Sequence, residues 1–216
     1  MHASVADRLA RLAPDQRAAA TAPRGPVLCV APAGSGKTTT LVARVAWLVD
    51  GGVDPATIAA ITFNKRAADE LAERLGSALE PLGVSADAVR VRTFHALGLE
   101  ILRSDGVSAD LVDRSELLAE LAPGLSAAVV AGLDTAFSRL KLDLRADVDA
   151  VDRDPEAGAT AHAWVAYERA LAARGVVDFD DLVRRALERL EGSPALLARW
   201  RASCSHLLVD EAQDLD

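Results

Sequence analysis

Aromatic side chains make up only 4% of this chain, and it contains just two cysteines. With so few rings the core has to be assembled from Leu, Val and Ala, and the abundant alanine favours long helices. Cys29 and Cys204 lie too far apart in sequence to form a metal-binding pair of the usual spacing. Cys29 sits in an apolar run and reads as a small core residue; such sparse cysteine suits a reducing, cytoplasmic setting. A surplus of positive charge is also missing. The formal net charge is −8, which excludes a basic footprint over the whole surface and confines any nucleic-acid contact to a local patch. No stretch approaches the roughly 18 unbroken apolar residues of a membrane span. The first residues, with Asp7, Arg8 and Arg11, lack the apolar stretch of a signal peptide. Internal repeats and low-complexity tracts are absent too. Half of the 216 residues are apolar and 26% are charged, as in a globular protein large enough for a main domain with an inserted one.

Against that background the segment from Ala31 to Thr38, Ala-Pro-Ala-Gly-Ser-Gly-Lys-Thr, stands out. It follows an apolar run, residues 27–31, that predicts a buried strand. It precedes residues 36–49, whose Leu41, Val42, Val45, Leu48 and Val49 share one helical face. Between a strand and a helix, Gly34 and Gly36 let successive backbone N–H groups turn inward toward phosphate oxygens. The start of the helix adds its positive end. Lys37 has the reach for β- and γ-phosphates, and the Thr38 hydroxyl suits Mg²⁺. The cradle predicted for ATP comprises Ala33, Gly34, Ser35, Gly36, Lys37, Thr38 and Thr39.

A second site closes the chain. His206 to Val209 is a short apolar strand running into Asp210, Glu211, Ala212, Gln213 and Asp214. A strand of a parallel sheet places such carboxylates at its C-terminal edge, where ligands bind. Asp210 is predicted to hold Mg²⁺ through oxygen ligands, Glu211 to deprotonate the attacking water, and Gln213 to sense the γ-phosphate. Lys37 and Asp210 must then converge on one ligand.

Between these sites the pattern alternates. Strand 58–63 precedes helix 65–79, and strand 89–93 precedes helix 95–103, an order that implies a parallel sheet with right-handed crossovers. Residues 1–25 read as a helix and a linker. From 107 to 190 only helical periodicity is found, in helices 127–141, 160–173 and 179–190, with the acidic stretch 143–156 as a loop. Helix 194–202 then returns to strand 206–210. The predicted class is α/β, a parallel phosphate-loop sheet flanked by helices and interrupted by an all-helical insertion. The parts are 1–106, 107–190 and 191–216.

These residues, in this order, resemble the superfamily 1 DNA helicases of the UvrD/Rep/PcrA type over nearly the whole chain. Leu12-Ala13-Pro14-Asp15-Gln16 is similar to the family's glutamine motif, which implies that Gln16 reads the adenine edge. Residues 61–68, from Ile61 through Thr62, Phe63 and Asn64, resemble its first single-stranded DNA motif. Phe63 suits base stacking, worth about 1–3 kcal/mol. Arg92-Thr93-Phe94-His95 resembles the next such motif, implying that Thr93 and His95 meet the phosphate backbone. Tyr167 and the block Asp178-Phe179-Asp180-Asp181-Leu182 match the end of the family's helical insertion; by itself the block reads as a helix cap. The resemblance implies a RecA-like fold, ATP and Mg²⁺ as cofactors, 3′-to-5′ movement on single-stranded DNA, and a second RecA-like domain as partner. It also implies one further strand between 27–31 and 206–210, lying beyond Asp216. On this reading the sheet is incomplete and residues 1–216 alone turn over ATP slowly. Two other readings are a nucleotide-binding remnant without turnover and a small-molecule phosphate-loop kinase.

Overall fold

The computed structural model describes residues 1–107, 110–143 and 146–212. They divide into two compact units: Met1–Phe94 together with the stretch from Ala198 onward, and His95–Leu197.

The first unit opens with α1 (Ala3–Ala10) and α2 (Pro14–Ala20), two helices where the sequence predicts one. Next comes α3 (Lys37–Asp50), which starts at Gly36 in the left-handed region, φ 87°. Its buried Val42, Val45, Ala46 and Leu48 face the core. The strand β1 (Ile58–Thr62) is buried at all five positions, as befits a central strand covered on both faces. Asn64 then caps α4 (Lys65–Leu79): its side chain accepts the Ala67 N–H at 2.9 Å. Leu71, Leu75 and Leu79, four residues apart, form the inward stripe of that helix. The strands β2 (Arg90–Thr93) and β3 (His206–Val209) flank β1, both parallel to it, in the order β2-β1-β3. Thr62 stands beside Thr93, and Ile61 beside Val209. Residues that follow the three strands therefore leave the sheet at one edge.

The segment 27–31 departs from expectation. It forms no strand, and Val27, Leu28 and Val30 are 52%, 82% and 88% exposed. Cys29 is exposed as well, not a core residue. The physical reason is pairing: a strand exists only through hydrogen bonds to a neighbour, and no described strand runs beside this segment. The partner of β3 is β1, which leaves Leu207 58% exposed on the outer side of the sheet.

The second unit is helical: α5 (Phe94–Ser104), α6 (Arg114–Leu121), α7 (Ala127–Leu142), α8 (Val148–Arg153), α9 (Ala159–Arg174) and α10 (Asp181–Gly192); α11 (Pro194–Ser203) starts in this unit, and its residues from Ala198 onward belong to the first. Side chains of Asp113, Ser126 and Asp147 cap α6, α7 and α8. The helix α8 lies within the acidic stretch read as a loop; its Asp147 cap, which accepts the N–H groups of Asp149 and Ala150, supplies the missing start signal. Leu117, Phe137, Trp164, Tyr167 and Leu171 form a core that gathers three aromatic rings.

Candidate nucleotide site and nucleic-acid edge

The phosphate loop has the backbone that an anion requires. Gly34 and Gly36 take φ of 75° and 87°, values that cost glycine nothing and other residues about 1 kcal/mol or more. Helix geometry leaves the first-turn amides of α3, those of Lys37, Thr38 and Thr39, without intrahelical partners. The Ser35 hydroxyl is buried with no hydrogen-bond partner. Such an orphan calls for a ligand or water. Ala33, Gly34 and Thr39 are exposed, so the cradle is open.

Gln16 reaches this loop from α2. Its Nε2 donates to the Ser35 carbonyl at 2.6 Å, while its Oε1 accepts the Ala13 N–H at 3.0 Å. A Cβ at Gly36 would stand 2.9 Å from that same Nε2. Glycine is needed there for its φ and for the close approach of Gln16.

The two ends of the chain converge as expected. The Thr38 hydroxyl donates to Asp210 Oδ2 at 2.9 Å, across 172 residues of sequence. Asp210 extends the β3 ladder, its N–H bonded to the Ile61 carbonyl at 2.9 Å. Lys37 Nζ lies 3.6 Å from Glu211 Oε2 and 3.5 Å from the Ala31 carbonyl oxygen. Glu211 is the one described non-glycine residue with positive φ, 52°. Left-handed backbone at a carboxylate beside a phosphate loop is the kind of local strain found at active sites. Thr38 and Asp210 offer adjacent hard oxygen donors, the set Mg²⁺ prefers, so the residues present fit the expected ion. Gln213 lies outside the described residues.

The residues expected to touch DNA are placed less uniformly. Phe63 leaves the end of β1 with 57% of its surface exposed. Thr62 is buried, its hydroxyl donating to the Asn64 carbonyl, and the Asn64 side chain is engaged as the α4 cap. Thr93 is half-buried beside Thr62 at the end of β2. In the second unit the His95 ring stacks on Phe179, with centroids 3.8 Å apart and planes within 16°. Burial lowers the His95 pKa below the ordinary imidazole value, against a smaller pull upward from Asp180.

Sequence reasoning missed what lies behind the acidic block. Asp178 and Asp181 exchange side-chain-to-backbone bonds of 3.0 and 3.2 Å at the start of α10, as a cap would. Their remaining oxygens meet buried cations from distant helices. Lys141 of α7, fully buried, has carboxylate oxygens of Glu168, Asp178 and Asp181 at 2.8, 2.8 and 2.9 Å. Arg114 of α6 grips Asp178 at 2.8 Å and Asp180 at 2.5 Å. Burial would raise the Asp178 carboxyl; Lys141 and then Arg114 outweigh it and hold the pKa below the usual range. A clue was available, since Lys141 ends an otherwise apolar helical stripe through Val130, Leu133, Phe137 and Leu140, but nothing in the spacing named its partners.

Comparison with known proteins decides the lineage. The profile of the UvrD/REP helicase N-terminal domain matches residues 12–148 and 128–216. The chain belongs to the UvrD/REP helicase family. It is 35% identical to the ATP-dependent DNA helicase Rep of Escherichia coli (strain K12), over 94% of this chain and 32% of that protein. It shares 35% identity with the ATP-dependent DNA helicase UvrD1 of Mycobacterium bovis (94% of this chain, 28% of the relative). The figures for the ATP-dependent DNA helicase PcrA of Leuconostoc citreum are 35%, 88% and 27%. The chain thus spans less than a third of the length of these relatives. The UvrD/REP match includes Gln16, the phosphate loop and the Asp210 strand, and it runs through the helical unit that carries His95, Lys141 and Asp178. Among the described residues no helix is long and apolar enough to cross a membrane.

Proposed function

We propose that this chain is the N-terminal motor portion of an ATP-dependent DNA helicase, binding Mg²⁺–ATP at the phosphate loop and single-stranded DNA through the sheet edge and His95. The observation that carries this reading is the 2.9 Å hydrogen bond between Thr38 and Asp210. It joins the two halves of one triphosphate site. A small-molecule kinase needs no exposed aromatic at the end of β1 and no block resembling that of residues 92–95.

In this reading the amides of Ala33 to Thr39 and the Lys37 ammonium bind the phosphates. Thr38 and Asp210 would hold Mg²⁺, which when bound would neutralise phosphate charge and fix the direction of attack. Gln16 positions the adenine end and Gln213 answers to the γ-phosphate. Glu211 accepts a proton from the attacking water. Glu211 Oε2 stands 3.6 Å from Lys37 Nζ, which keeps the proposed base beside the lysine that binds the γ-phosphate. Phe63 stacks on a base, and Thr93 and His95 approach backbone phosphates. Thr62 and Asn64 contribute from behind, by fixing the turn that presents Phe63. A further strand beside β3 and a second RecA-like domain supply the rest of the sheet and of the cleft.

The test is ATP turnover by the full-length polypeptide that carries this chain, with and without oligothymidylate. Strong stimulation by the oligonucleotide, lost in Lys37→Ala, is expected. Turnover indifferent to DNA would refute the helicase reading and leave a simple nucleotidase or kinase.

A further inference from the structure

The charged cluster in the helical unit has no evident place in stability alone. A buried ion pair roughly breaks even against apolar side chains of the same size. Here Lys141, with no surface exposed, and Arg114, 8% exposed, sit among five carboxylates: Asp134, Glu168, Asp178, Asp180 and Asp181. The Tyr167 hydroxyl adds a bond to Asp178 at 3.0 Å, and Ser138 adds one to Asp180 at 2.6 Å. Every acidic residue of the turn 178–181 is pinned in this way. Phe179 alone projects from it, 58% exposed, and its ring lies flat on His95. The approach of the helix bearing His95 is fixed one turn further along. A Cβ at Gly98 would collide with the Leu182 carbonyl, so α5 and α10 touch backbone to backbone there. The pairs 95–179 and 98–182 are in step, three residues apart on both elements.

We infer that Lys141 and Arg114 are positioning residues for the single-strand contact at His95: by clamping residues 178–181 they make Phe179 a rigid backstop that sets the plane of the imidazole. Lys141 is fully buried and the nearly buried Arg114 guanidinium is taken up by Asp134, Asp178 and Asp180, so both act from behind and not as DNA contacts. The inference rests on the reading of His95 as a phosphate contact, and it adds a second requirement, that the ring be held from behind.

Three variants of the chain test it: Phe179→Leu, Arg114→Lys and Lys141→Met. Arg114→Lys keeps the charge and loses the two-pronged grip on Asp178 and Asp180. In the wild type the stacked Phe179 ring shifts the His95 ring protons upfield in the NMR spectrum. That shift disappears in Phe179→Leu, and it should shrink in Arg114→Lys and Lys141→Met. Oligothymidylate affinity should fall together with the shift, by about three- to tenfold, while affinity for a Mg²⁺–ATP analogue holds. A fall of tenfold corresponds to 1.4 kcal/mol. If Lys141→Met does not fold, Arg114→Lys decides. An Arg114→Lys protein that melts earlier yet keeps the His95 resonances and the oligothymidylate affinity overturns the inference, since the cluster then only stabilises the unit. A His95→Ala chain that binds oligothymidylate like the wild type overturns the DNA reading instead, while the His95 resonances of the wild type and the other three variants still report whether the ring is held.

Discussion

Single side chains carry the chemistry, and their roles separate by substitution. Glu211→Gln removes the proposed base and leaves Thr38 and Asp210 in place. In the full-length polypeptide it should bind ATP as before and lose at least about a hundredfold in turnover, the usual contribution of a positioned base. Single-turnover hydrolysis beside a binding titration checks this, and a variant that turns over normally removes Glu211 from the mechanism. Phe63→Ala should lower single-strand affinity by about 1–3 kcal/mol with nucleotide affinity unchanged; an equal loss of both would make Phe63 a packing residue. At this scale the sequence was most informative where one residue type has few uses. A lysine after Gly-Ser-Gly, or an aspartate ending an apolar strand, can be read directly. Thr62 and Asn64 were less legible, because a hydroxyl and an amide serve turns and caps as readily as ligands. In the structure both are occupied with local backbone.

At the scale of elements, periodicity named β1, β2, β3, α3 and α4 to within a few residues, because each has a buried stripe or a fully buried run. It failed at 27–31, where the residues look like a strand but the condition for one lies elsewhere in space. Asn64 illustrates what a cap contributes: Asn64→Ala should lower the stability of the first unit by about 1 kcal/mol, seen as an earlier melt with no change in the far-ultraviolet signature of the folded state. The turn before α10 supplies a pH prediction. The folded Asp178 carboxyl lies below its ordinary value, with burial overcome by Lys141 and Arg114. Its contribution to stability is therefore complete above the unfolded carboxylate pKa of about 3.9 and is lost as pH falls below that toward the folded value. The helical unit should lose stability steeply below about pH 4, followed by Trp164 fluorescence. In Arg114→Lys the folded value moves up toward the unfolded one, so the loss should be smaller and should be complete at higher pH. A flat profile down to pH 3 in both proteins would show that the cluster is not ionised as drawn.

Across the whole chain, the acidic balance bears on the proposed DNA contact. A net charge of −8 leaves few phosphate contacts, so single-strand binding should depend only weakly on salt. The α/β class and the convergence of the chain ends were legible because a phosphate loop and an acidic strand end restrict each other. The division after Phe94 was not, since the first helix of the second unit continues directly from the β2 strand. The buried cluster was not either, because ion pairs spanning 64 or so residues leave no local period. Every proposed role in the nucleotide site turns on Thr38 and Asp210 sharing one metal-bound triphosphate. Calorimetric titration of a non-hydrolysable ATP analogue into the wild type and Asp210→Asn, each with Mg²⁺ and with EDTA, addresses this directly. Mg²⁺ should tighten binding to the wild type by tenfold or more, about 1.4 kcal/mol, and do little for Asp210→Asn. An equal gain from Mg²⁺ in both proteins would contradict it.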